Sequence, residues 1–323
     1  MRRVPALACA SVDLDALPHY LRLHGLSAEE LPEERRHAVG RVALARFLDL
    51  FEELGVRATF FAVGEDLDDA RTVALVRRAF DAGHEIGNHT QTHPYDLTRR
   101  SLDALQAEVA RCETTIERVT GRRPIGFRAP GYAIDARLLA VLDARGYAYD
   151  SSAFPAVPYY LAKACVMGAL ELLGRPSRAM LDRPRALAAP RLPYRPSALE
   201  PYRRDDGTTR LGLVELPMTV TPLARLPFIG TSALLLPARV LDLVYRRVRR
   251  LPFFNFELHG IDLLDATDVN LPDLSAVQRD LNIPFTKKRA RLARVLSNLR
   301  RDFDVRPLAS AAGALREQLA PRG

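Results

Sequence analysis

Two kinds of apolar pattern alternate along the chain. Ala6 to Val12 and Ala58 to Val63 are continuous apolar runs of strand length, and Phe253 to Leu258 is a third, aromatic one. His84 to Asn88, Ile125 to Arg128, Tyr147 to Ser151, Leu213 to Leu216 and Asp304 to Leu308 read as shorter strands. Between them, apolar residues recur at helical spacing over Glu34 to Leu54, Thr72 to Ala82, Leu102 to Val119 and Ala136 to Ala144. Gly55, Gly83, Gly121 and Gly146 stop these helices. Ala238 to Arg250 predicts a basic helix, and Ser275 to Asn298 a mainly helical stretch broken at Asn282 to Pro284. Pro18 to Pro32 reads as irregular. Strand followed by helix, with polar residues collecting after the strands, predicts a parallel α/β fold whose functional groups sit at the strands' carboxyl ends.

Phe154 to Arg210 breaks the rhythm with many prolines and arginines. It holds one apolar helical run, Tyr159 to Leu173, followed by Arg175, Arg178, Arg183, Arg185 and Arg191. The expectation is an insertion over residues 154–210 of one domain spanning 1–323, packed on the barrel or acting as a lid or membrane-facing arm.

The length of 323 residues suits one α/β barrel with insertions, and an apolar fraction of 48% suits a large buried core. A net charge of +8, mostly arginine, favours anionic partners such as phosphates or a membrane surface. No nucleic-acid motif accompanies it, so nucleic acid is not an expected partner. Cys9, Cys112 and Cys165 are scattered and form no CxxC, which argues against a disulfide framework or a thiolate zinc site. Val4 to Val12 leads straight into acidic residues and reads as a buried strand, not a leader. No apolar run is long enough to span a membrane, so a cytoplasmic location is expected.

The chemistry lies after the strands. In Asp13-Leu14-Asp15 both carboxylates face one way on an extended chain, and they repel unless a cation or an arginine neutralises them. A helix-capping pair is the plainer alternative. His89 and His93 stand four residues apart in a short, Pro94-terminated stretch, spaced to share one cation. Collected by position, the strand ends carry Asp13, Asp15, His89, His93, Arg128, Asp150 and His259. Two imidazoles and a carboxylate with an open position suit catalytic zinc. A second carboxylate could be a general base, an arginine could keep it ionised, and a separate histidine could protonate a leaving amine.

Three stretches carry a resemblance: Ala58-Thr-Phe-Phe-Ala-Val-Gly64, Gly83-His-Glu-Ile-Gly-Asn-His-Thr-Gln-Thr-His-Pro94 and Phe127-Arg-Ala-Pro130. In them, and in motif order over residues 5–153 and 211–262, the chain resembles the polysaccharide deacetylases, carbohydrate esterase family 4 with its NodB homology domain. The resemblance implies a distorted (β/α) barrel, a divalent metal (usually zinc), and hydrolysis of an N-acyl group, most often N-acetyl, from an amino sugar. By position it makes Asp15, His89 and His93 the metal ligands, Asp13 the general base, Arg128 its partner and His259 the general acid. Three departures stand out. The aspartates are spaced rather than adjacent, Gly131 replaces a tyrosine after Pro130 while keeping a backbone N–H for an oxyanion, and Asp150 is followed by Ser-Ser-Ala-Phe. The group that orients His259 is therefore open between Asp150 and Asp262. Two further readings stand beside the deacetylase: a deacylase or deformylase of a lipid-linked amino sugar at the membrane face, and an inactive carbohydrate-binding relative.

Overall fold

In the computed structural model, which describes residues 6–172, 183–207 and 210–319, eight strands form one sheet. They are β1 (Leu7–Asp13), β2 (Thr59–Ala62), β3 (Glu85–Asn88), β4 (Gly126–Phe127), β5 (Tyr149–Asp150), β6 (Val214–Glu215), β7 (Phe253–His259) and β8 (Asp304–Val305). The order is β6-β5-β4-β3-β2-β1-β7, and every pairing is parallel. β8 pairs with the start of β1, below the level at which β2 joins it. Beyond β6 the chain crosses towards β7. There the Thr219 N–H donates to the Asn255 carbonyl (3.1 Å) and the Asn255 N–H to Thr219 Oγ1 (2.8 Å). The sheet thus curls into a parallel half-barrel, the distorted (β/α) barrel anticipated from the sequence.

Alternation along the strands divides the core in two. On β1, Ala8, Ala10 and Val12 face the surrounding helices, as do Phe254, Phe256 and Leu258 on β7. The other faces point inward. Inside the barrel Leu7, Cys9, Phe61, Tyr149 and Phe253 pack with the helix Leu308–Gln318. Higher up the inward positions turn polar, with Ser11 and Asp13 on β1 beside Asn255, Glu257 and His259 on β7, all in register. Gly126 makes room for this interior: a Cβ there would lie 2.1 Å from the Tyr149 ring.

Several expectations change. The stretch after Asp15 is not irregular at its start, because Leu17–Leu23 is a helix. Pro18 lies in its first turn, where its missing N–H costs nothing. The helix expected from Glu34 to Leu54 is broken into Glu33–Arg36, a π-helical turn Val39–Ala43, and Leu44–Leu54. Gly40 lies within the break, pressed so closely on Thr72 that a Cβ would sit 2.3 Å from its hydroxyl.

In the insertion, Val157–Leu172 is a helix, while Arg175 and Arg178 lie outside the described residues. Farther on, Tyr194 bridges antiparallel to Glu215, so returning chain covers the free edge of β6. Arg185 pairs with Glu200. Among the described residues no helix is long and apolar enough to cross a membrane.

Candidate active site

The register of β1 and β7 brings the first side chains together. Asp13 pairs with His259 across the two strands, and Ser11 with Glu257, at the carboxyl end of the sheet. β3 ends at Asn88, whose side chain fixes the loop carrying both histidines. Its amide donates to the Val109 carbonyl (2.9 Å) and to the Tyr147 hydroxyl (2.7 Å), and its oxygen accepts from the Thr90 N–H (2.8 Å). Thr90 and His93 both adopt left-handed backbone (φ 68 and 50), and the His93 N–H donates to Thr90 Oγ1 (3.1 Å). That conformation is unfavourable for a β-branched residue, so the surrounding contacts must enforce it. The result is a tight loop that converges both imidazoles, with ring centroids 4.9 Å apart.

Asp15, His89 and His93 bring three donor atoms within 4.8 Å of one another, all buried. His89 Nε2 lies 3.2 Å and His93 Nε2 3.3 Å from Asp15 Oδ1. His89 Nδ1 donates to the Arg128 carbonyl (2.7 Å), which leaves a lone pair on Nε2 facing the cluster. Asp15 Oδ1 and both His93 nitrogens are buried without hydrogen-bond partners among the described residues. Such orphaned groups are costly unless a ligand satisfies them, and two imidazoles with a carboxylate fit a divalent cation. Burial holds the His93 imidazole down at about 4, against the pull of Asp15, so it is neutral and ready to ligate. Burial pushes the Asp15 carboxyl up, but His93 and His89 together hold it well below the usual range.

Beside this cluster, Arg128 is fully buried and almost fully engaged. It donates to Asp13 Oδ1 (2.6 Å), Ser11 Oγ (2.9 Å), Ser151 Oγ (2.9 Å) and the Ser151 carbonyl (2.8 Å), and its guanidinium lies 4.3 Å from the Phe61 ring centroid. Asp13 Oδ1 is thereby held, and Oδ2 is turned towards His89 Nε2 (3.9 Å). Burial raises the Asp13 carboxyl, and Arg128 and His89 pull it down without fully offsetting that rise.

His259 is oriented by a residue that the sequence motifs do not single out. Glu257 Oε1 accepts from His259 Nδ1 (2.8 Å), and Tyr132 Oη lies 3.1 Å from both Glu257 Oε1 and His259 Nε2. With the Tyr132 hydroxyl donating to Glu257, both ring nitrogens have acceptors, an arrangement that favours the imidazolium form. Burial lowers the ring's affinity for its proton, but the Glu257 charge and hydrogen bond, aided by Asp13 and Asp15, raise it well above 6.5. Asp13, Glu257 and His259 also converge within 4.8 Å. In that group Asp13 is held by Arg128, and the ring by Glu257 and Tyr132.

Neither expected candidate is the imidazole's partner. Asp262 Oδ2 instead accepts the His259 backbone N–H (2.9 Å), fixing the turn after β7. Asp150 faces Glu215 across β5 and β6 and accepts from the Ser152 hydroxyl (2.6 Å). A signal for Glu257 exists in the sequence: Glu257 and His259 are two apart on one strand, like Asp13 and Asp15, and share a face. Gly131 lines the cleft in left-handed backbone (φ 65).

Residues 40–149 match the sequence model of the family described as polysaccharide deacetylase. Among curated proteins, a peptidoglycan deacetylase-like protein of Gibberella zeae is 34% identical over 155 residues, 47% of this chain and 44% of that protein. A peptidoglycan deacetylase of Helicobacter pylori is 30% identical over 162 residues, 48% of this chain and 53% of that one. The chain thus spans about half the length of the curated relatives it matches. A solved Mycobacterium smegmatis structure, assigned as a polysaccharide deacetylase, superposes with a TM-score of 0.63 over 100% of this chain and 95% of its own, at 19% identity, a likeness of fold. Residues 40–149 are thus similar to the polysaccharide deacetylase family, and the fold is shared over the whole chain.

Proposed function

We propose that the chain is a metal-dependent N-deacetylase of an amino sugar. Asp15, His89 and His93 would hold a divalent ion, zinc by the chemistry of the donors, with Asp13 as general base and His259 as general acid. The observation that carries this reading is the set of buried, unpartnered donor atoms on Asp15 and His93, flanked by a carboxylate locked to Arg128 and an imidazolium locked to Glu257. The names of the Gibberella zeae and Helicobacter pylori proteins favour N-acetylated glycan as the substrate class.

The ion, when bound, would supply Lewis acidity for the acyl carbonyl and for water. The chain's own residues account for the protons. Asp13 Oδ2, the oxygen not held by Arg128, takes a proton from water as the water oxygen adds to the acyl carbon. His259 Nε2 passes its proton to the amide nitrogen as the C–N bond breaks, releasing a free amine and a carboxylic acid, which then loses its proton to solvent. Proton exchange with solvent then restores Asp13 and His259. Tyr132 holds the Nε2 proton until a substrate nitrogen takes its place. Gly131 lines the cleft, and its backbone N–H is the proposed donor to the oxyanion. The whole chain would act as one catalytic domain, with residues 154–210 as an insertion that walls the site.

The test is release of acetate from N-acetylated amino sugars and peptidoglycan fragments by zinc-loaded protein, compared with Asp13→Asn and His259→Ala. Release abolished in both variants supports the assignment. Carbohydrate binding without release by the intact protein would leave an inactive binder. A second substrate reading, a lipid-linked amino sugar met at a cytoplasmic membrane face, draws on Leu161 and Leu172. They are 58% and 91% exposed on the helix that walls the cleft. Flotation with anionic liposomes checks it: protein that stays out of the lipid fraction at low salt removes it.

A further inference from the structure

The cleft above Asp13, Asp15 and His89 encloses about 260 Å³. That is just below the range of pockets for drug-sized ligands, roughly 300–1,000 Å³, and suits one sugar ring with its acyl group rather than a run of several. Two helices close it. Val157–Leu172 presents Tyr159, Lys163 and Met167, spaced four and eight residues apart and so on one face. Leu17–Leu23 contributes Tyr20.

Two polar groups in these walls take no part in the chemistry proposed above. Tyr20 lines the cleft, and its hydroxyl oxygen is buried without a hydrogen-bond partner among the described residues, the residue being 5% exposed. A buried donor in that state calls for an acceptor that enters with a ligand. Lys163 is the sole lysine or arginine lining this cleft among the described residues. Its Nζ lies 3.9 Å from the point a Cβ on Gly131 would occupy, beside the turn next to the acid–base pair. In this chain the residue type is informative, because only three of the 47 basic residues are lysines. An ammonium is a compact point charge with rotatable donors, able to meet an anionic oxygen without the planar geometry a guanidinium imposes.

We infer that the cleft takes a single N-acyl amino-sugar unit bearing an anionic group, a carboxylate or a phosphate, which Lys163 reads while the Tyr20 hydroxyl donates to another oxygen of the same unit. The inference rests on the deacetylase reading for the acyl group, but the recognition of charge can be measured by binding alone.

The experiment uses the zinc-loaded full chain with four probes: N-acetylglucosamine, its 1-phosphate, N-acetylmuramic acid and the neutral N-acetylglucosamine tetramer. Calorimetry gives affinity, and acetate release gives kcat and KM. One anionic unit should bind about tenfold tighter than the neutral monomer. Which one does so distinguishes a phosphate from a carboxylate ligand. The tetramer should gain nothing over the monomer. Lys163→Met should bring the charged-to-neutral ratio to about one, through KM and not kcat, and Lys163→Arg should retain part of it if the Met variant does not fold. Tyr20→Phe should weaken every monosaccharide severalfold at unchanged melting temperature. Equal affinity for charged and neutral sugars, a preference that survives in folded Lys163→Met, or a tetramer bound tenfold tighter than the monomer would each overturn the inference. Acetate released equally from all sugars would overturn it while leaving the deacetylase reading intact. Lys163-dependent binding of the charged sugar without acetate release would uphold it and remove that reading.

Discussion

Glu257 raises the proton affinity of His259, and so sets the pH range open to it in the proposed role of general acid. It supplies a full charge and a 2.8 Å hydrogen bond to a buried ring. Glu257→Gln keeps an acceptor for Nδ1 but removes the charge, so the ring releases its proton at lower pH. In a pH profile of acetate release, the alkaline limb should move to lower pH while the acidic limb stays in place. An unmoved alkaline limb would assign that limb to another group. Asp13→Asn keeps the contact to Arg128 but cannot accept a proton, and it should cost on the order of 10² to 10⁴ in kcat. Single-turnover kinetics would check that the loss lies in the chemical step. At this scale the sequence is most legible where residues are near neighbours: Asp13 with Asp15, and His89 with His93. The partner of His259 is not legible from acids after strand ends. Glu257 lies inside an aromatic strand and reaches the site only through the alternation of β7.

At the scale of elements, the strands and most helices follow from periodicity, and Ala136–Ala144 agrees to the residue. The misses have local causes. Pro18 looks like a breaker but opens a short helix, the one that carries Tyr20 into the cleft. The break within 33–54 depends on Gly40 meeting Thr72, a contact no period reports. The pairing of Asp150 with Glu215 likewise requires knowing that β5 and β6 are neighbours. Both residues are fully buried, and each leaves one oxygen without a donor, so one shared proton would satisfy the pair. Burial raises both carboxyls, Glu215 well above 4.5. A carboxyl raised in the folded state gives stability that is fully present below its unfolded pKa of about 4.3 and is lost as pH rises through the folded value. Glu215→Gln offers an amide donor to Asp150, keeps the acceptor for the Ala153 N–H, and does not titrate in that range. Its melting temperature should therefore match the natural chain's near pH 4 and exceed it increasingly towards pH 8. The difference should be about 1.4 kcal/mol for each unit by which the folded carboxyl is raised. A variant less stable at pH 8 would show that the pair is held ionised.

For the whole molecule, parallel order and a half-closed barrel bring residues from β1, β3, β4 and β7, and the loops after them, to one end. That convergence can be anticipated because such folds gather function at the carboxyl ends of their strands. The walls cannot, since the helix Val157–Leu172 sits within an insertion whose placement no periodicity fixes. Stripping metal should lower the melting temperature, because a ligand that binds only the folded chain adds stability by mass action, about 2.7 kcal/mol at a hundredfold excess over Kd. Scanning calorimetry of stripped and zinc-loaded protein would read the shift.

The most direct test of the central claim is a zinc titration of stripped protein, with bound metal and acetate release followed together in the natural chain and in Asp15→Ala. One zinc per chain is expected, with hydrolysis rising in step and reaching its plateau at one equivalent, and both lost in the folded variant. Hydrolysis by the stripped protein at the full rate, or one-equivalent binding undiminished in Asp15→Ala, would contradict it.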